Sequence, residues 1–444
     1  MTLHPVLAET LSAALAPSPP PAFTRRDARL STIPKKAHAV IGMRRAGKTT
    51  FLRQIQADLR RELPPEQALY FSFDDDRLAG IGVEQLGFLL EEYYRRYPSY
   101  RGREPVHWLF DEIQLVPGWD RFVRRVLDTE RVEISVSGSS ARMLSREVHS
   151  SLRGRATATV IRPFSFREFL RHRGEEPTRQ PSRWTAAERS LIEKRFREFL
   201  IEGGFPEAQG LAAPQRIELL QGYVDTVLFR DVVERYKVTQ VAALRWVVRQ
   251  GLRNPAGSFS VHRLHRDLKA QGHGLAKDAV HAMLDHLTDA FLVTAVPLAT
   301  ESERQRNSNP RKLYPADPGL IGAFDASGRS NIGHSLESAV LNELDRRGAD
   351  VGYVRTGNGL EVDFLARYPG DGEELLQVCA DVSSEGTLAR EVTALDEAAR
   401  DHSRASRRLL VLDRDARALA AKSGAEAQPA YEWLLARAQD RQGS

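Results

Sequence analysis

The sequence predicts an α/β protein whose first part is a mostly parallel sheet with helices on both faces. Three observations predict it. Short apolar runs alternate with helical segments between residues 30 and 172, the first run leads into G-x-x-x-x-G-K-[ST] over residues 42–49, and a later run ends in the acids Asp111 and Glu112. Alternation of this kind is the pattern of strands that run the same way and are buried by crossover helices.

The runs are "AHAVIG", "ALYFSFDD", "PVHWLFDE", "VEISVSGSS" and "ATVIRPFSF". The polar, Pro-containing stretch "GEEPTRQPSRWTAAE", residues 174–188, reads as a hinge. From Leu191 to about Pro318 the apolar spacing becomes helical, in "RSLIEKRFREFLIEG", "QGYVDTVLFRDVVERY" and "AALRWVVRQGL". Within it, "FSVHRLHRDLKAQGHGLAKDAVHAMLDHLTDAFLVTAVPL" reads as helix, Gly-containing turn, helix and strand, the order of a winged helix, with "ERQRNSNPRKLYPAD" supplying the wing. A third unit opens near Ser335 with helix "SLESAVLNELDRRG", followed by strands "VGYVRT", "LEVDFLARY" and "LLQVCADV", a helix around "TLAREVTALDEAAR" and a strand "RRLLVLD". The expected division is a Pro-containing leader over 1–29, a nucleotide-binding core with its hinge over 30–188, a helical and winged-helix-like domain over 189–330, and an α/β domain over 331–444.

Composition narrows the class. The 444 residues have the length of several domains, and the single cysteine, Cys379, rules out an internal disulfide and fits a reducing, cytoplasmic setting. The opening "VLAETLSAALAPSPPPAF" lacks a basic start and carries Glu9, so neither export nor membrane insertion is expected. Lys and Arg total 64 against 59 Asp and Glu, a balance that permits a nucleic-acid partner without demonstrating one.

The motif at 42–49 has a physical rationale. Gly42 and Gly47, with Arg45 and Ala46 between them, let the backbone curl so that N–H groups point at phosphate oxygens, and the helix opened by Lys48, Thr49 and Thr50 adds its positive dipole end. Lys48 is placed against the β- and γ-phosphates of ATP, and the Thr49 hydroxyl on Mg²⁺. Asp111 then serves as the second metal-holding residue and Glu112 as the general base on the attacking water. The next strand ends in hydroxyl residues. Ser137 is the candidate polar group between the metal-holding acid and the γ-phosphate, with Ser139 and Ser140 as rivals, and capping of the following helix is the alternative reading. Arg153 and Arg155 are candidates for an arginine that reaches the phosphate of a neighbouring subunit, or else are solvated surface residues.

"GMRRAGKTT", "FDEIQ", "SGSSARML", "LRGR", "RPFSFREFL", "GGFPEA", "FRDVVERY" and "EVDFLA" occur in the order found in prokaryotic AAA-type ATPases that carry a C-terminal domain related to PD-(D/E)XK nucleases, and the chain resembles that family from about Pro34 to Asp413. The resemblance implies a restriction-endonuclease-like C-terminal fold and an ATPase that assembles as an oligomer such as a ring, with its site completed across subunits. In the nuclease fold a helix glutamate, a strand aspartate and an E-x-K pair hold Mg²⁺. Glu337 and Asp363 match the first two, whereas Gln377-Val378-Cys379 stands where Glu-x-Lys is expected. Gln377 and Cys379 share one strand face, and replacing a carboxylate and an ammonium by an amide and a thiol removes a hard ligand and a cation. The leading expectation is therefore a Mg²⁺-dependent ATPase that binds and remodels or translocates DNA as a homo-oligomer away from membranes. An ATP-driven nuclease and a nucleotide-controlled switch on a protein partner are the alternatives.

Overall fold

The computed structural model describes residues 2–16, 22–31, 33–138, 152, 154–325, 331–370, 372–422 and 424–436. The chain divides into two compact units, residues 1–162 with 289–291 and residues 163–288 with 292–444.

The first unit is built on a parallel sheet of order β2-β3-β4-β1-β5, with β1 Ala37–Ile41, β2 Ala68–Ser72, β3 Val106–Asp111, β4 Val132–Ser137 and β5 Ala156–Val160. Each apolar run of the sequence supplies one strand. Every residue of β1 is buried, which is why it reads as a continuous apolar run and not as an alternation. An N-terminal helix, α1 (Pro5–Leu15), buries Leu7 and Leu11, so the leader contributes to this core. Helix α2 (Lys48–Leu59) follows β1 through the Gly-rich loop, α3 (Glu84–Arg96) follows β2, and α4 (Trp119–Thr129) buries Phe122, Val123, Val126 and Leu127 at helical spacing. The arginines of "DRFVRRVL" lie on the other side of α4, the usual place of a solvated charge run.

The second unit holds two further sheets. After α5 (Phe166–His172), α6 (Ala186–Glu202) and α7 (Ala213–Thr226), the helix continues in π form over Val227–Val233. Helix α8 (Val241–Arg253) precedes β6 (Ser258–Phe259), α9 (Val261–Ala270), α10 (Lys277–Asp289), β7 (Val293–Val296), α11 (Glu303–Ser308), β8 (Arg311–Pro315) and α12 (Gly319–Phe324). Strands β6, β8 and β7 form a small antiparallel sheet with β8 in the middle. Helix α13 (Ile332–Arg346) then leads into a mixed sheet of order β13-β12-β11-β10-β9, in which β9 (Asp350–Arg355), β10 (Glu361–Tyr368) and β11 (Gly372–Cys379) are antiparallel. Strand β12 (Ala405–Val411), reached through α14 (Glu385–Asp401), is parallel to β11, and so is β13 (Ala427–Pro429) to β12. Helices α15 (Arg414–Lys422) and α16 (Ala430–Leu435) complete it.

The expected wing differs from a free hairpin. The residues just before it, 297–299, lie along the edge strand β9, where Ala299 N–H donates to Tyr353 O at 2.8 Å and Tyr353 N–H to Pro297 O at 2.9 Å. An edge strand offers unpaired backbone groups, and here the segment between β7 and the expected wing takes them. Gly352 permits the approach, because a Cβ there would lie 2.9 Å from the Ala299 Cβ. The segments 189–330 and 331–444 accordingly belong to the same compact unit, and the contact boundary falls after Arg162. Among the described residues no helix is long and apolar enough to cross a membrane.

Candidate nucleotide site

The loop after β1 has the backbone that its sequence requires. Gly42 and Gly47 adopt φ of 144° and 100°, and Arg45 adopts φ of 64°. A Cβ at Gly42 would stand 2.1 Å from the Ile161 carbonyl oxygen, so both the conformation and the space demand glycine. Gly47 is the N-cap of α2, and no side chain caps that helix, leaving its first turn of N–H groups for an anion. Thr49 and Thr50 are exposed at this turn. Lys48 is buried, and its Nζ donates to the carbonyl oxygens of Gly42 and Met43, each at 3.0 Å. The ammonium therefore lies inside the curl of the loop.

Behind the loop stands a residue from the leader. The buried Arg26 donates through Nη1 to Ala46 O at 2.9 Å, while Gln54 of α2 accepts from its N–H at 2.7 Å and donates to its carbonyl at 3.2 Å. Arg26 thus ties the loop backbone to α2. The composition of the leader gave no sign of this role.

The two acids at the end of β3 occupy different environments. Asp111 is buried, with Oδ2 accepting from the Tyr70 hydroxyl at 2.7 Å and Oδ1 accepting from the Ser137 hydroxyl. The same Ser137 oxygen accepts the Glu112 N–H at 3.1 Å, so one hydroxyl joins both acids. Glu112 itself takes φ of 53°, the left-handed region that is costly for a side-chain-bearing residue. Burial pushes its proton affinity up, opposed by the nearby charges of Lys48 and Arg44. Gln114 Nε2 donates to Glu112 Oε2. Tyr70, on the neighbouring strand β2, has the Arg53 guanidinium 3.3 Å above its ring, and burial followed by the Asp111 charge holds its hydroxyl protonated.

Lys48, Asp111, Glu112 and Ser137 are thus brought together at the C-terminal end of the sheet, the end where open parallel sheets bind ligands. Arg155 lies at the other end, immediately before β5, exposed and paired with Asp128. Arg153, Ser139 and Ser140 lie outside the described residues. Tyr70, Gln114 and Arg26 were missed by sequence reasoning. A tyrosine inside a buried strand carries no local signal, and only the parallel pairing of β2 with β3 places its hydroxyl beside the acid.

The second candidate cluster lies in the second unit. Asp363 donates its N–H to Gln377 Oε1 at 3.2 Å and accepts Val378 N–H on Oδ2 at 3.0 Å, and the Glu337 carboxyl is close enough for the Asp363 charge to raise its proton affinity in addition to burial. Gln377 also donates to Glu391 of α14. The Cys379 thiol donates to Asp381 O at 3.3 Å, and burial pushes its pKa up to about 11, so it carries no thiolate at neutral pH. Lys312, Tyr314 and Glu361 join this cluster, none of them anticipated. Glu361 was legible in principle, two residues before Asp363 on the same strand face, whereas Lys312 comes from a distant strand. Among the described residues no group of three or more His, Cys, Asp or Glu side chains is arranged to hold a metal ion.

Residues 34–170 match the model of an AAA domain, and residues 193–331 match that of a domain of unknown function (DUF8612). An uncharacterized protein of Haemophilus influenzae is 26% identical over 343 residues, 76% of this chain and 80% of its own. Among solved structures, the Walker-type ATPase PABY2304 of Pyrococcus abyssi covers 65% of this chain and 90% of its own at 16% identity with a TM-score of 0.41. The uncharacterized protein MJ1544 of Methanocaldococcus jannaschii is 33% identical over 383 residues, 85% of this chain and 81% of its own. The chain belongs to the family of that methanococcal protein, and its residues 34–170 are an AAA-type P-loop domain.

Proposed function

We propose that the protein is a Mg²⁺-dependent ATPase that acts on DNA as a homo-oligomer. The observation that carries the hydrolytic part is the Ser137 hydroxyl bonded at once to Asp111 and to the backbone of Glu112, beside the curled loop that holds Lys48. The residues fit the cofactor. Thr49 is open to solvent at the first turn of α2, and Asp111 is held in place by two hydroxyl groups that donate to it. Thr49 and Asp111 would hold Mg²⁺, which neutralises phosphate charge. Gly42, Arg45, Ala46, Gly47 and Thr50 shape the loop, Lys48 meets the β- and γ-phosphates, and Glu112 takes the proton of the attacking water. The bond between γ-phosphorus and the bridging oxygen breaks as the water oxygen bonds to phosphorus, and ADP leaves. The raised proton affinity of Glu112 suits that base role.

The DNA part rests on charge and topology. The order β6, α9, α10, β7, β8 with an antiparallel sheet supports the winged-helix-like reading of 189–330, and α9 exposes Arg263, Arg266 and Lys269. Two observations favour a second reading, in which the nucleotide state controls a protein partner. The exposed face of α10, the helix in the recognition position, carries Asp278 and Asp285 beside Lys277 and His281. In addition, Arg171 and Arg173 of "RHRG" are paired with Glu176 and Glu202. The mixed sheet of 331–444 supports a nuclease-related fold whose cluster serves architecture.

Hydrolysis of ATP measured with and without single-stranded, duplex and branched DNA tests both readings. Stimulation by one DNA form, with kcat lowered about a hundredfold or more in Glu112→Gln and lost in Lys48→Ala, supports the first. Hydrolysis indifferent to every DNA form, with no DNA binding at low salt, overturns it in favour of the second.

A further inference from the structure

The second unit buries a lysine among carboxylates. Lys312, the second residue of β8, is 3% exposed, and its Nζ lies 2.7 Å from Glu361 Oε1 and 3.2 Å from Asp363 Oδ1. Tyr314, two residues along the same face of β8, donates to Glu337 Oε2 at 3.2 Å. The second Asp363 oxygen is taken by the Val378 N–H. One turn before Glu337 on α13, the Nδ1 atom of His334 is buried without a hydrogen-bond partner, and this ring feels the charges of both Asp363 and Lys312. Carboxylates that converge on one cation are what hard divalent-ion sites are made of. Here the cation belongs to the chain.

We infer that the Lys312 ammonium is the built-in cation of this cluster, gathering Glu337, Glu361 and Asp363 in place of a divalent metal. The wild-type cluster takes no Mg²⁺, Ca²⁺ or Mn²⁺, and a chain without that ammonium gains a site for one. The distances agree with such an exchange. Oxygen ligands stand roughly 2.3–2.6 Å from Ca²⁺, so the carboxylates at 2.7 and 3.2 Å need only close by several tenths of an ångström. The charges agree as well. A single ammonium cannot balance three carboxylates, and burial together with the Asp363 charge raises the proton affinity of Glu337. A divalent ion would supply a second positive charge and offer the unpartnered His334 nitrogen a ligand position. The cluster also explains why a strand of the small sheet is fixed to the mixed sheet, since Lys312 stands on β8 while Glu361 and Asp363 stand on β10.

The test uses the full chain without nucleotide at neutral pH. Bound Mn²⁺ is counted by electron paramagnetic resonance, and Tm is read with and without millimolar Mn²⁺ or Ca²⁺. The wild type is expected to show the same Mn²⁺ count as Asp363→Asn and an unchanged Tm. Lys312→Ala is expected to melt lower and to recover by about 4 °C on adding Mn²⁺, a recovery absent from the Lys312→Ala, Asp363→Asn double variant. A wild-type Mn²⁺ ion that Asp363→Asn removes overturns the inference, as does a folded Lys312→Ala whose Tm ignores divalent ions. Should Lys312→Ala fail to fold, Lys312→Gln is read in the same way. Refolding of either variant only when Mn²⁺ or Ca²⁺ is present supports the inference, and failure of both with and without metal overturns it.

Discussion

Asp111 shows how one residue's chemistry is set by neighbours that no motif contains. Its oxygens accept from Tyr70 and Ser137, so its position is fixed from β2 and β4 as well as from its own strand. The loop glycines, Lys48 and the two acids were legible, because their spacing has a physical rationale at sequence level. Ser137 was one of three hydroxyl candidates, and it hydrogen-bonds both acids, while the rivals Ser139 and Ser140 lie outside the described residues. Tyr70→Phe keeps the ring under Arg53 but leaves a buried carboxylate oxygen without its donor, an omission that costs about 1–3 kcal/mol of local order. The expected outcome is a kcat about tenfold lower and a higher Mg²⁺ concentration for half-maximal rate. Ser137→Ala removes the partners of Asp111 Oδ1 and of the Glu112 N–H together, so its kcat should fall further. Steady-state kinetics over a Mg²⁺ titration check both, and a Tyr70→Phe enzyme with wild-type kinetics would show that Asp111 needs no such support.

At the scale of elements, the parallel strands were legible because each is a buried apolar run ended by turn residues. The π-helical turn over Val227–Val233 was not, since its buried pairs Val227–Asp231 and Leu228–Val232 fall at i, i+4, a spacing that an ordinary helix satisfies equally. The segments "RPFSFREFL" and "GGFPEA" acquire a structural meaning together. Ser165 and Glu168 form a buried capping box that starts α5, while Phe164 N–H donates to Gly204 O at 2.7 Å. A Cβ at Gly204 would meet the Phe164 carbonyl oxygen at 2.2 Å, so backbone lies against backbone. Glu168→Ala is expected to destabilise the chain by about 1–2 kcal/mol, and Glu188→Ala, in the exposed capping box of α6, by less. Gly204→Ala should exceed both by forcing that backbone contact apart. Parallel urea unfolding curves rank the three, and equal losses for Glu168 and Glu188 would show that burial of the cap contributes nothing.

At the scale of the whole molecule, what the sequence could not show is that "GGFPEA" meets residues more than a hundred positions away. Asp317, fully buried, accepts Gly204 N–H at 2.7 Å and Gly319 N–H at 2.9 Å, and thereby joins the segment after α6 to the start of α12. The bond to Gly204 is one of the contacts within the unit formed by 163–288 and 292–444. Burial pushes the Asp317 carboxyl up from 3.8 to about 6, against the pull of the two backbone donors and Arg346. The folded state therefore binds this proton more tightly than the unfolded chain, so the contribution to stability is complete below about pH 4 and is lost as pH rises through about 6. The proton-affinity difference corresponds to roughly 3 kcal/mol. Asp317→Asn cannot titrate, and it turns one amide N–H against a backbone donor. Measured side by side by urea unfolding, the wild type should lose its advantage over Asp317→Asn steadily from pH 4 to pH 7, by about that amount. Carboxylates elsewhere whose affinity is lowered by arginines, such as Glu175 beside Arg195, change wild type and variant alike and drop out of the difference. A stability difference that stays flat across this range would mean that the two backbone donors outweigh burial and that Asp317 is ionised throughout.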